Sequence, residues 1–147
     1  MKRFEDRISI QAPADRVFEY VADFTRHREW AGHGLEVTKS TEGPVHVGTT
    51  FSTTAKLFGT QREQSMITEI TPNETFAWDS TGALGRVHHW FSLDEAGGST
   101  TLTKGAEMVD PTLLAKVTGW KLSRDIPKGL HNDLANIKTR VEGSAAA

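Results

Sequence analysis

The sequence predicts an α+β domain in which a curved antiparallel sheet of about seven strands wraps around one long C-terminal helix, with two short helices inserted after the first strand. Three observations predict it. A short strand runs directly into a helix between Ile8 and Asp23. The middle of the chain breaks into alternating stretches separated by Gly- and Asn-containing turns, as a series of hairpins requires. The end carries Ile126, Leu130, Leu134, Ile137 and Val141 at steps of three and four, the apolar stripe of a single amphipathic helix.

In the opening segment Ile8 and Ile10 alternate with polar neighbours, and Pro13 stands where its missing N–H costs nothing, in the first turn of a helix. Val17, Phe18 and Val21 recur at helical spacing, and Asp23 caps a second short helix that ends near Trp30. The loop Ala31-Gly32-His33-Gly34 releases a second strand at Leu35 and Val37. From Gly48 to Leu57, Phe51, Thr53, Ala55 and Leu57 share one face, and Gly59-Thr60 offers a two-residue turn into a strand from Gln61 to Thr71. That turn sets Phe58 opposite Gln61, Leu57 opposite Arg62, Ala55 opposite Gln64, Thr53 opposite Met66 and Phe51 opposite Thr68, with Ile70 on the same face.

Pro72-Asn73 turns the chain again, and Phe76, Trp78 and Ser80 share the inner face of the next strand. A two-residue turn between Gly82 and Gly85 sets Trp78 opposite His89 and Phe76 opposite Phe91. Val87, His89, Phe91 and Leu93 then face inward, while His88, Trp90 and Ser92 face out. Gly97-Gly98 closes a hairpin that pairs Leu93 with Leu102, Phe91 with Lys104 and His89 with Ala106. All three hairpins agree on the inner face, although a bulge in any strand reverses everything beyond it. Residues 111–122 read as a turn of helix or a flap containing Leu113, Leu114 and Val117, with Trp120 at a cavity entrance. Ser123 caps the final helix, and Pro127 falls in its first turns.

With 147 residues, the chain is expected to form one domain over residues 1–143, followed by a disordered tail over residues 144–147. The formal charge of −2 and pI near 6.3 supply no basic stripe for phosphate backbones, so nucleic acid is not an expected partner. Docking on anionic membranes is disfavoured on the same ground. There is no cysteine, which removes disulfides, thiolate nucleophiles and cysteine-ligated metals. The charged N-terminus, Met1-Lys2-Arg3-Phe4-Glu5, lacks the apolar run of a signal peptide, and no window is long enough to span a bilayer. A cytoplasmic monomer or homodimer without stable membrane insertion is expected. Asn73-Glu74-Thr75 reads as a turn rather than a glycosylation site.

The strand ending at Ala12-Pro13, the Val17-Phe18 helix, Asp23 followed by Trp30, the strand Trp90-Phe91-Ser92-Leu93, the turn Gly97-Gly98-Ser99-Thr100 and the C-terminal amphipathic segment together resemble the helix-grip superfamily. That superfamily contains the START lipid-transfer domains, the birch-pollen allergen fold and the bacterial polyketide cyclase/dehydrase-like (SRPBCC) proteins. The resemblance covers nearly the whole chain and implies an apolar cavity between sheet and C-terminal helix. It implies no cofactor.

His88 and His89 point to opposite faces of a regular strand, so they do not share one ion, and no metal site is expected. His89 faces inward beside Trp78, where it serves as a hydrogen-bond partner for a ligand or as a catalytic acid/base. The expected cavity-lining residues are Trp30, Phe51, Thr53, Arg62, Gln64, Met66, Trp78, His89, Leu130 and Leu134. Arg62 is expected to snorkel to solvent at the sheet edge, and a bulge at Gly105 to turn Lys104 outward. Glu63, Glu69 and Asp79 fall on the outer face. His27, Arg28 and His33 read as exposed loop residues, and Trp90 as an outward tryptophan that is partly exposed or covered by another chain.

The leading functional expectation is a carrier or sensor of a small, mostly apolar molecule: aromatic, polyketide-like or lipid. The resemblance implies an alternative, a cyclase/dehydrase-like enzyme in which His89 exchanges a proton while Arg62 or Gln64 polarises a carbonyl. A third possibility is a protein-interaction module that uses Trp90 and the outer sheet. No nucleophile elbow, P-loop or dinucleotide fingerprint is present.

Overall fold

The alternating stretches become strands of one antiparallel sheet in a computed structural model that describes residues 2–31, 35–56 and 60–145. The strands are β1 (Arg3–Ile10), β2 (Glu36–Lys39), β3 (Thr50–Lys56), β4 (Thr60–Thr71), β5 (Thr75–Gly82), β6 (Gly85–Ala96) and β7 (Ser99–Pro111). Their order across the sheet is β1-β7-β6-β5-β4-β3-β2, a run of hairpins closed by the first strand pairing with the last. Among the described residues the helices are α1 (Ala14–Val21), a 3₁₀ helix (Phe24–Glu29), α2 (Leu113–Val117) and α3 (Gly119–Ala145).

β1 ends at Ile10, short of the expected Ala12, and Pro13, the residue before α1, has no hydrogen-bonding side chain with which to cap the helix. The Glu95 carboxylate, at the end of β6, accepts from the Ala14 amide at 2.5 Å and takes that role. Asp23 caps the 3₁₀ helix by accepting from the Thr25 amide at 3.2 Å. In a helix of three residues per turn Phe24, His27 and Trp30 fall on one edge, and all three are buried.

Two hairpins have the registers the sequence predicts. Trp78 stands opposite His89 and Phe76 opposite Phe91; Leu93 pairs with Leu102, Phe91 with Lys104 and His89 with Ala106. The β3–β4 hairpin differs. Lys56 pairs with Thr60, so the connection spans residues 57–59, and Leu57 and Phe58, whose pairing was expected, lie outside the described residues. Thr53 therefore stands opposite Glu63 rather than Met66, and Phe51 opposite Ser65 rather than Thr68. This three-position shift is odd, so it exchanges the faces of the N-terminal half of β4. A bulge between Ile67 and Glu69 restores the expected parity, and Ile70 pairs with Phe76 on the inner side.

The end of the chain differs as well. Thr112 caps α2, and α3 begins at Gly119, before Ser123, whose hydroxyl is instead bonded by the Lys2 ammonium. Pro127 thus lies inside the helix rather than in its first turns, and the helix continues through Ser144 and Ala145, the start of the expected tail. Leu130, Leu134, Ile137 and Val141 bury most of the expected stripe against the sheet, while Ile126, its first residue, is half-buried.

On the convex side Trp90 is partly exposed and lies across Gly105 of β7. A Cβ built at Gly105 would stand 2.0 Å from the Trp90 ring. Strand β7 is regular there; its irregularity falls instead at Val109, between the pairs Arg86–Asp110 and Val87–Met108. Replacing Gly105 by Ala is expected to destabilise the fold by about 2 kcal/mol, because either the indole or the strand must move. Urea denaturation measures this, and Trp90→Leu in the same background is expected to recover most of the loss.

Candidate functional site

The concave wall is built from alternate residues of β3 to β7, closed on one side by the 3₁₀ helix and on the other by α3. Beneath the 3₁₀ helix aromatic rings fill it. Phe24 stacks on Phe51 with centroids 4.5 Å apart, His27 lies 4.6 Å from Trp30 and 5.0 Å from Trp78, and Trp78 lies 5.7 Å from Phe91. The Asn136 amide of α3 donates to the Trp30 carbonyl at 3.0 Å, tying the long helix to this block.

His27 corrects an expectation. It is not an exposed loop residue but only 2% exposed, at the centre of the aromatic cluster. Its Nε2 lies 2.8 Å from the Val21 carbonyl, an acceptor only, so Nε2 carries a proton and donates it. Burial pushes its pKa down to about 3; the Val21 bond opposes this only in part, and Lys104 adds a smaller push in the same direction as burial. The ring is therefore neutral near pH 7. The signal for this residue was the step of three from Phe24 through His27 to Trp30. Arg28 is exposed as expected, and His33 lies outside the described residues.

His89 stacks on Trp78 with centroids 5.1 Å apart and planes 13° from parallel. Its ring is partly exposed, yet Nδ1 is buried without a hydrogen-bond partner among the described residues. Desolvation, followed by repulsion from Lys104 and the neighbouring histidines, holds its pKa well below the ordinary histidine value. Lys104 also corrects an expectation: it points inward. Because β7 stays regular at Gly105, Lys104 remains on the face of Phe91 and is 5% exposed. Its Nζ lies 3.5 Å from Asp133 Oδ2 on α3, 5.5 Å from the Trp30 ring and 5.9 Å from the Phe91 ring. Burial lowers the lysine pKa and Asp133 opposes the shift.

The register shift redistributes the remaining expected residues. Arg62, Gln64 and Met66 were expected to line the cavity, but they project from the convex face, where Met66 is 44% exposed and Gln64 accepts from Ser52 at 3.2 Å. Glu63, expected outside, is on the inner face, and burial raises its pKa. Thr53 keeps its inward position, with its hydroxyl 3.4 Å from the Glu63 carbonyl, and Ser80 bonds Ser65 at 2.9 Å on the same face. Phe51, Trp30, Trp78 and Leu134 are buried on the concave side. Leu130 is buried at the edge of a hollow of about 260 Å³ between β1 and α3, which Arg3, Phe4, Glu5, Asp6 and Pro127 complete. A wider hollow of about 460 Å³ lies at the start of α1, against Asn73 and Glu95.

Trp120 is 71% exposed with the Arg124 guanidinium 5.5 Å from its ring. On the convex face His88 Nδ1 lies 2.6 Å from Asp79 Oδ1, and Arg86 bridges Asp79 and Asp110 at 3.3 and 3.1 Å. The Arg3 guanidinium covers Trp90 at 4.5 Å. No group of three or more His, Asp or Glu side chains among the described residues is placed to hold a metal ion. Among the described residues no helix is long and apolar enough to cross a membrane. A neutral imidazole and a buried ammonium in an aromatic wall can donate hydrogen bonds to a carbonyl, a hydroxyl or a carboxylate on an otherwise apolar molecule.

The same architecture occurs in solved structures. The di-domain ARO/CYC StfQ from the steffimycin biosynthetic pathway superposes with a TM-score of 0.78 at 14% identity, over 99% of this chain and 52% of that one. The Zhui aromatase/cyclase from Streptomyces sp. R1128 superposes with a TM-score of 0.75 at 16% identity, over 96% and 93%. At these identities the likeness shows a shared helix-grip fold. An uncharacterised protein of Mycobacterium tuberculosis is 37% identical over 111 residues, 74% of this chain and 47% of that protein. The chain thus spans about half the length of the curated relatives it matches. The family profile described as "Polyketide cyclase / dehydrase and lipid transport" matches residues 1–142, and the chain belongs to that family.

Proposed function

We propose that the protein binds a small, mostly apolar molecule bearing at least one hydrogen-bonding oxygen, held between the concave sheet and α3, and that it acts as a carrier or sensor. The observation that carries this reading is the His89 ring, stacked on Trp78 with a buried, unpartnered Nδ1 beside the Lys104 ammonium. An unpaired polar atom in an apolar wall is costly, and a ligand oxygen would offset that cost. A carrier fits better than an acid/base enzyme. A histidine held well below its ordinary pKa is a weak base near neutrality, and the groups that would polarise a carbonyl, Arg62 and Gln64, point away from His89.

Native mass spectrometry of freshly purified protein, followed by extraction, is expected to reveal a co-purifying small molecule. Titration with a planar aromatic ketone, followed by tryptophan fluorescence, is expected to saturate. His89→Gln should weaken that affinity about fivefold, the worth of one hydrogen bond, without removing binding. A product assay on a candidate polyketide separates the enzymatic alternative, for which the same variant would lower turnover by about a hundredfold or more. Saturable binding that His89→Gln leaves unchanged would remove His89 from the site.

A further inference from the structure

We propose that α2 and the first turns of α3 form a docking surface for anionic lipid bilayers. The surface consists of Leu113, Leu114, Val117 and Trp120, large apolar side chains that are 76, 52, 66 and 71% exposed. Such a cluster is unusual on a monomer unless something covers it. Within α2 the helical repeat places Leu113, Val117 and Leu114 inside an arc of about 100°, with Ala115, the buried residue, on the opposite side. The short helix therefore turns its smallest side chain to the protein and its largest ones to solvent.

The presentation is fixed. The Thr112 hydroxyl donates to the Ala83 carbonyl at 2.7 Å and the Thr112 amide donates to Leu84 at 3.2 Å, so the segment is pinned to the tip of the β5–β6 hairpin.

Charge selects the occupant. The whole chain is weakly acidic, yet residues 112–128 carry Lys116, Lys121, Arg124 and Lys128 against a single carboxylate, Asp125, which is engaged with Arg124. The acidity that disfavours a membrane role for the chain as a whole is thus absent from this one segment. A protruding helix with leucine, valine and tryptophan at its apex and cations around it has the composition of an interfacial anchor. A second copy of the chain fits less well, because a two-fold contact would set each cluster of cations against its own image.

The test uses the unliganded full chain and liposomes, so its result is independent of whether the concave site binds a ligand. Co-sedimentation is expected with vesicles of phosphatidylcholine and phosphatidylglycerol but not of phosphatidylcholine alone, and should decline as salt is raised. Leu113→Ser with Val117→Ser should weaken vesicle binding on the order of tenfold or more, since both side chains are exposed and play no part in the core. Lys116→Glu with Lys128→Glu is a second, independent variant, expected to lose a comparable factor selectively on anionic vesicles. Circular dichroism confirms that each variant is folded. The proposal is overturned by absence of vesicle binding, by equal binding to neutral vesicles, or by folded variants that bind as the wild type does. It is equally overturned if sedimentation velocity shows a dimer that the serine variant converts to monomer, because a second copy would then cover the surface.

Discussion

Acidification from about pH 7 to about pH 4 is expected to cost the native state roughly 3 kcal/mol through His27 alone. The folded pKa of this residue is about 3, against an ordinary value of 6.5. Between those values the unfolded chain holds a proton that the native chain does not. Stability is fully present above pH 6.5 and is lost as pH falls toward 3, at about 1.4 kcal/mol per pH unit. His89, also depressed, adds to the loss with the same sign. Urea denaturation at a series of pH values reads the slope directly. In His27→Gln the amide can still donate to the Val21 carbonyl, but nothing titrates, so the slope should flatten by about one proton. That variant should also be less stable at neutral pH by about 1–2 kcal/mol, because the ring contacts to Phe24, Trp30 and Trp78 are gone. Equal slopes in the two proteins would show that His27 is not held neutral by burial.

Asp133→Ala is expected to destabilise the protein by about 3 kcal/mol, because it leaves the Lys104 ammonium almost fully buried against Trp30 and Phe91 without its carboxylate. Lys104→Met should cost much less, since it replaces a buried charge by an apolar side chain of similar length. The double variant should recover most of what Asp133→Ala loses. In Asp133→Ala stability should rise with pH: the native lysine pKa is lowered, so below the ordinary value of 10.5 the unfolded chain binds more protons than the native one. Thermal unfolding of the four proteins measures these differences. If Lys104→Met were as damaging as Asp133→Ala, the pair would be a structural support, and its place in the binding wall would lose its main argument.

Where turn length was unambiguous, the sequence carried the register. Gly82 to Gly85 and Gly97-Gly98 fix their hairpins, so Trp78, His89, Phe91 and Lys104 could be placed opposite their partners from spacing alone. Gly59-Thr60 was a plausible turn but not the one used, and a longer connection reversed Arg62, Gln64 and Met66 together. Lys104 was misread for a different reason. A charged residue before a glycine suggested an outward bulge, whereas Gly105 is needed for the close approach of Trp90, and Asp133, distant in sequence, makes the inward charge tolerable. His27 was missed because an α-helical period does not collect Phe24, His27 and Trp30 on one side. A 3₁₀ period does.

Strand β4 is written in two reading frames. From Thr71 back to the bulge, even-numbered positions face the helix; from the bulge back to Glu63, odd-numbered ones do. The chemistry of the wall near the β3–β4 connection therefore depends on how one residue, Thr68, is accommodated as much as on the residues that make up the wall. Deleting Thr68 would put the whole strand in one frame. Pairing with Phe76 and Trp78 would be kept, and Ile67, Ser65 and Glu63 would stay on the inner face by plain alternation. Were Thr68 instead taken into a strand with no bulge, Met66, Gln64 and Arg62 would replace them, and a small, hydroxyl-lined corner would become a bulky, cationic one. One bulge, two strands from His89, thus decides which side chains stand near it while every residue of the strand keeps its identity.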